Sequence, residues 1–213
     1  MSPNYLAPLL SKYLAPLLPL QDLPPKPTVF LDLDKTLIKS FNTQPPTFDF
    51  KVQVLRPPRM PEKIYKFQSF LGRMTYYISR RPGIDELLSF LHGKYEIVIF
   101  TASTKEYADP IIDKIDKYRV ISYRLYRNSC KIVDGKCIKD LSRTGRNIKR
   151  LIIIDDKLSS FSLQKNNGIQ VSAFVGDPGD KGLLQLLKFF EIAVDFEDMR
   201  EAATCYLFSL LKI

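Results

Sequence analysis

Four short apolar runs punctuate the chain: "TVFLDL" (28–33), "YEIVIFT" (95–101), "LIIID" (151–155) and "IQVSAF" (169–174). Each has the length and the β-branched, aromatic content of a strand buried on both faces. Between them the apolar positions shift to helical spacing, in "GIDELLSFLHG" (83–93), "KEYADPIIDKIDKY" (105–118) and "DKGLLQLLKFFEIA" (180–193). Strands alternating with helices predict an α/β fold: a Rossmann-like parallel sheet with helices on both faces. Ligands of such sheets gather beyond the carboxyl ends of the strands. Three runs deliver polar groups to that edge: Asp32 and Asp34 after the first, Thr101 after the second, Asp155 and Asp156 after the third.

Two segments break the alternation. Residues 41–80 hold Pro-rich turns and the strand-like "FDFKVQVL", and predict a flap after the first strand. Residues 119–139, "RVISYRLYRNSCKIVDGKCIK", predict a small β insert turning at Asp134–Gly135. Together they are expected to line a substrate groove. Ahead of the domain, residues 1–27 read as a tail in which "LAPLL" occurs twice, eight residues apart. The expected organisation is a tail over 1–27, a catalytic domain over 28–195 and a C-terminal helix over 196–213.

Composition narrows the functional classes. At 213 residues and 45% hydrophobic, the chain can bury a sizeable core, and no apolar run reaches the length of a bilayer span. Three cysteines and no secretory signal indicate a reducing compartment, nucleus or cytoplasm rather than secretion. The formal charge of +9 favours an anionic ligand, but no nucleic-acid motif accompanies it, so no direct nucleic-acid contact is expected. The single histidine, His92, falls at the end of a helical pattern, which leaves carboxylates as the candidate acid–base groups.

Asp32 and Asp34 carry like charges one residue apart, an arrangement that needs compensation. Mg²⁺ supplies it, because hard cations take carboxylate oxygens, and Asp155 completes a carboxylate set for one ion. A carboxylate so held can attack phosphorus, while the second aspartate moves the proton of the leaving oxygen and then of water. Thr36, Thr101 and a lysine would hold the phosphoryl oxygens.

The order of these pieces carries a resemblance. "FLDLDKTL", "RRPGIDELL", "VIFTASTKEYADPIIDKID", "YRLYRNSC", "KDLSRTGR" and "LIIIDD" resemble the haloacid dehalogenase (HAD) superfamily. Within it they are most similar to the small C-terminal-domain phosphatases of the FCP/SCP, NLI-interacting-factor-like family; the closing "FEDMREAATCYL" has the look of plant members. The resemblance implies a Mg²⁺-dependent serine/threonine phosphatase acting through an aspartyl-phosphate. It puts the nucleophile on Asp32 and the acid/base on Asp34. Thr101 and Lys139 become phosphate-binding residues, Asp155 with Asp156 the metal aspartates, and Arg127 a contact for the phosphopeptide. The expected metal set is Asp32, Asp34, Asp155 and Asp156, and the groove candidates are Phe41, Val52, Val54, Tyr107 and Arg127. The implied substrate is a phosphoprotein, with the RNA polymerase II tail as one example, and the implied state a monomer.

Two departures stand out: Lys35 where the family has Glu, and "KLSS" after Asp156 where it has Asn-Pro or Ser-Pro. They keep a second reading in play, a HAD-fold binding scaffold like the mitochondrial import receptor's related domain. A third reading, the C-x5-R spacing of a cysteine phosphatase from Cys137 to Arg143, is poorer. Its loop lacks glycine, and Asp140 would face the anion.

Overall fold

The computed structural model describes residues 16–55 and 73–211. The first "LAPLL" copy, part of the second and residues 56–72 of the expected flap lie outside the described residues.

Five strands form the main sheet: β1 (Thr28–Leu31), β5 (Glu96–Phe100), β6 (Tyr123–Leu125), β9 (Leu151–Asp155) and β10 (Gly168–Gln170), in the order β10-β9-β1-β5-β6. Every neighbouring pair is parallel. The chain runs from β1 outward to β5 and β6, then returns to the other side of β1 for β9 and β10. Strand order therefore reverses at β1, and the crevice of such a sheet opens there. Asp32 follows β1 directly.

Burial explains why the strands read as unbroken apolar runs. Val29, Leu31, Ile97, Ile99, Ile152 and Ile154 point to one face and are fully buried. Four helices cover it: α1 (Ile84–Leu91), α2 (Lys105–Ile115), α3 (Gly182–Ala193) and α4 (Met199–Leu211). Phe30, Val98, Phe100, Leu151 and Ile153 point to the other face. The cover there is 3₁₀-helical: Leu141 from the segment Leu141–Thr144, Phe161 from Leu158–Asn167, and Leu18 from the N-terminal segment. The sheet thus has helices on both faces, long α-helices on one and short 3₁₀ turns on the other. The strand expected over 169–174 is shorter, ending at Gln170.

After Asp34 the chain builds an antiparallel sheet of β2 (Ile38–Phe41), β3 (Phe50–Leu55) and β4 (Arg73–Arg80), in the order β2-β4-β3. It stands at the carboxyl edge of the main sheet. Within the segment expected as an insert, Tyr123–Leu125 is instead β6, the edge strand of the main sheet. What projects is the hairpin of β7 (Lys131–Val133) and β8 (Lys136–Ile138). Its turn residues, Asp134 and Gly135, have φ of 49° and 72°, the left-handed pair that a two-residue hairpin turn requires.

Candidate active site

The backbone leaves β1 in a tight loop. The Asp32 amide still donates to the Ile154 carbonyl at 2.9 Å, so the nucleophile candidate remains in the sheet's hydrogen-bond ladder. Beyond it Lys35 takes φ 68°, left-handed and costly for a lysine. The surroundings hold it there: the Lys35 amide donates to Ile38 O and the Phe174 amide donates to Lys35 O, both at 2.7 Å. Arg81, from the "RRPG" stretch, is 1% exposed and donates to the Thr36 carbonyl at 3.2 Å while its other nitrogens bind Asp180. The Lys35 side chain is exposed, while its amide and carbonyl are both bonded and Arg81 holds the next carbonyl.

A cavity of about 690 Å³ opens over this loop. Its floor carries Asp32, Asp34, Thr101, Lys139, Asp155 and Asp156, and its walls include Val54, Leu55, Met74, Tyr76, Tyr107 and Arg127.

Lys139 is the centre of the floor. Its ammonium lies 2.5 Å from Asp32 Oδ1 and 2.6 Å from Asp155 Oδ2, and the side chain is 1% exposed. Asp155 Oδ1 accepts the Lys157 amide at 2.8 Å. Burial pushes the Asp32 carboxyl up to about 6; Lys139 works against that rise, and the charges of Asp155 and Asp34 add to it. Burial opposes the Lys139 ammonium as well, yet Asp32 and Asp155 together hold it above the usual lysine range. Asp156 is also raised, by burial first and then by Asp155.

Oxygens of Asp32, Asp155 and Asp156 lie within 4.8 Å of one another. Three carboxylates against one buried ammonium leave an excess of negative charge, which a hard divalent cation would neutralise. The donor set fits Mg²⁺. The Asp34 side chain is not part of this trio. Its Oδ2 accepts the Ser103 hydroxyl at 2.7 Å, and its Oδ1 accepts the Tyr107 hydroxyl at 2.5 Å. Burial and the Asp34 charge push the Tyr107 phenol far above its usual range, so it stays a donor.

The remaining expected residues divide. Thr101 and Lys139 face the cavity, as do Val54, Tyr107 and Arg127. Arg127 is anchored by Nε donating to the Ala102 carbonyl at 2.7 Å. Thr36 does not reach the cavity: it is fully buried, and its hydroxyl accepts the Asp156 amide at 3.1 Å, bracing the Asp155–Asp156 loop from beneath. Val52 also falls outside: it shares the buried face of β3 with Val54, at 4% and 8% exposure, but of the two only Val54, nearer the strand's end, borders the cavity. Phe41 packs instead beside Gly176, with the Lys39 ammonium 5.4 Å from its ring centre. Cys137 sits on β8 against the second core and does not line the cavity. The Asp140 carboxylate is spent on Ser142 and Gln164, so no phosphate cradle forms between Cys137 and Arg143.

Sequence reading missed Ser103, Tyr76, Met74, Lys157 and Arg81. Ser103 and Arg81 stood inside quoted motifs, but only long-range contacts give them roles. Tyr76 and Met74 lie on β4, whose pattern of one buried residue among half-buried neighbours carries no clear period.

Comparison with known proteins bears on the family and the fold. Residues 27–200 match the model of the NLI interacting factor-like phosphatases. A probable C-terminal domain small phosphatase of Dictyostelium discoideum is 38% identical over 173 residues, which cover 81% of this chain and 52% of that protein. The human CTD small phosphatase-like protein is 35% identical over 85% of this chain and 60% of its own length. The nuclear envelope morphology protein 1 of Schizosaccharomyces pombe is 34% identical over 83% of this chain and 35% of its own length. The chain spans roughly a third to three fifths of these relatives. Among solved structures, the fission yeast RNA polymerase II CTD phosphatase Fcp1, bound to beryllium fluoride, aligns over 87% of this chain and 51% of its own. The TM-score is 0.57 at 19% identity, and the shared feature is the HAD-type fold.

Proposed function

We propose a catalytic role for this chain, which belongs to the NLI interacting factor-like phosphatase family: hydrolysis of phosphoserine or phosphothreonine in proteins through a phosphoryl group carried on Asp32. The observation that carries the reading is Asp32 clamped to Lys139 on the floor of an open cavity, with Asp34 beside it.

In the first step an Asp32 oxygen bonds to phosphorus and the bond from phosphorus to the substrate oxygen breaks. Asp34 gives that oxygen its proton, so a neutral alcohol leaves. In the second step water attacks the same phosphorus, Asp34 takes the water's proton, and the bond to Asp32 breaks, releasing phosphate and restoring the carboxylate. Lys139 holds Asp32 in line and offers positive charge to the phosphoryl oxygens. The Thr101 hydroxyl accepts the Ser103 amide at 3.0 Å, which leaves its own proton for a phosphoryl oxygen. Held by Asp32, Asp155 and Asp156, Mg²⁺ would neutralise charge on the transferring group. The half-apolar cavity walls suit a peptide; the substrate is read as a phosphoprotein and the working unit as a monomer. Among the described residues no helix is long and apolar enough to cross a membrane, and we place the protein in the nucleus or cytoplasm.

The test is phosphatase assay of purified protein on phosphoserine peptides and aryl phosphates, with EDTA and with added Mg²⁺. EDTA abolishes turnover and Mg²⁺ restores it. Asp32→Asn lowers kcat by at least about 10³-fold while phosphopeptide binding persists. A folded wild type with no Mg²⁺-dependent turnover would instead favour a binding scaffold.

A further inference from the structure

Asp34 is gripped on both oxygens by hydroxyl groups from two different elements. Ser103 lies in the loop after β5 and reaches Oδ2 at 2.7 Å; Tyr107 lies in the first turn of α2 and reaches Oδ1 at 2.5 Å. Neither hydroxyl is placed by accident. The Ser103 backbone is tied down twice: its amide donates to Thr101 Oγ1 at 3.0 Å and its carbonyl accepts the Arg127 amide at 2.9 Å. The Tyr107 ring meets the Tyr76 ring edge-on, centres 5.0 Å apart, so strand β4 of the flap fixes the phenol from the far side. Ser103, Tyr107, Tyr76 and Arg127 all border the cavity.

We propose that Ser103 and Tyr107 are positioning residues for Asp34, holding its carboxyl at the leaving-group side of the phosphoryl centre, and that Tyr107 couples this grip to substrate on the flap wall. The inference rests on the reading of Asp34 as acid/base. Among the described residues, and unlike the three clustered aspartates, Asp34 has no cation as a direct partner, and two hydroxyl donors fix its oxygens. Free rotation about its side-chain bonds would otherwise let the carboxyl swing away from the departing oxygen, and misplacement on the scale of an ångström is costly for proton transfer. A peptide seated between Tyr76 and Arg127 touches the ring that carries one of the two donors. Substrate contact and proton delivery therefore share a residue.

The grip predicts a dependence on the leaving group. An alkoxide leaving from phosphoserine needs its proton; p-nitrophenolate hardly does. Tyr107→Phe keeps the ring against Tyr76, and Ser103→Ala removes only the hydroxyl. Each lowers kcat on a phosphoserine peptide by about tenfold, a fraction of the ~10²–10⁴-fold that general acid catalysis supplies, and lowers kcat on p-nitrophenyl phosphate by much less. Ser103→Thr, which retains a hydroxyl, recovers most of the loss. In an Asp34→Asn background, Tyr107→Phe costs nothing further on the peptide, the non-additivity expected of a residue that acts through Asp34. Thermal unfolding of each variant, read alongside, identifies losses due to misfolding. Equal losses on both substrates in a folded variant, no loss on either, or full additivity with Asp34→Asn overturns the grip while leaving the phosphatase reading intact. A wild type that turns over neither substrate overturns both.

Discussion

Lys139 lies 2.5 Å from Asp32 across 107 residues of sequence, and its ammonium is shared with Asp155 in a site where all three side chains are more than nine-tenths buried. An ammonium so placed neutralises only part of the carboxylate charge around it. Burial and the neighbouring carboxylates push Asp32 up to about 6, and a further cation would favour its ionised form.

Lys139→Met leaves two buried carboxylates without their partner. Breaking a buried pair from one side costs about 3–5 kcal/mol, so the variant unfolds at markedly lower denaturant concentration. Added Mg²⁺ recovers part of that loss in Lys139→Met through the three aspartates, and recovers little in Lys139→Met combined with Asp155→Asn. Urea titrations with and without Mg²⁺ read both effects independently of turnover.

Val52 and Val54 share the buried face of β3, but of the two only Val54 borders the cavity. Val54→Ala and Arg127→Ala are expected to raise KM for a phosphopeptide several-fold while changing KM for a small aryl phosphate little. Val52→Ala and Val54→Ala both remove core packing and each costs about 1–3 kcal/mol of stability, but Val52→Ala leaves KM nearly unchanged. Steady-state kinetics and unfolding curves on the same three variants distinguish the roles.

The pair Arg81–Asp180 anchors the loop that carries Thr36, with the Arg81 guanidinium 2.7 Å from Asp180 Oδ1. Burial works against the Asp180 charge, but Arg81 and the Gly182 amide outweigh it and hold the carboxyl below its usual range. A depressed carboxyl contributes stability above its unfolded value of about 4 and loses it as pH falls through the lower folded value. Asp180→Asn therefore destabilises the protein at pH 7, and the gap to wild type narrows toward pH 3. Thermal unfolding of both proteins across that range checks the sign.

Cys137→Ser is expected to leave kcat and KM within about twofold of wild type. The thiol is half-buried on β8, outside the cavity, and no backbone cradle for phosphate lies between it and Arg143. Strong loss of turnover in a folded Cys137→Ser protein would return the cysteine mechanism to contention.

The sequence by itself determined four of the sheet's five strands and the edge at which chemistry gathers, while β6 stood inside the expected insert. Runs such as "TVFLDL" and "LIIID" are apolar at every position because β1 and β9 are buried on both faces, and that pattern is local. The turn at Asp134–Gly135 was equally legible, since left-handed backbone has few tolerant residues. Motif order placed Asp32, Thr101 and Asp155 at one edge before any contact was known. Tertiary structure decided which neighbours share an atom-scale environment. Asp34 and Asp32 are one residue apart in sequence, yet one turns to Ser103 and Tyr107 and the other to Lys139, because the loop through Lys35 bends between sheet and flap. Thr36 left the expected cavity for the same kind of reason, while Phe41 and Val52 pack against neighbours that only the tertiary structure brings to them. Residue type announces what a side chain can bind, but side-chain direction at a strand end is set by hydrogen bonds from Arg81, Phe174 and Ile38, which no local pattern encodes.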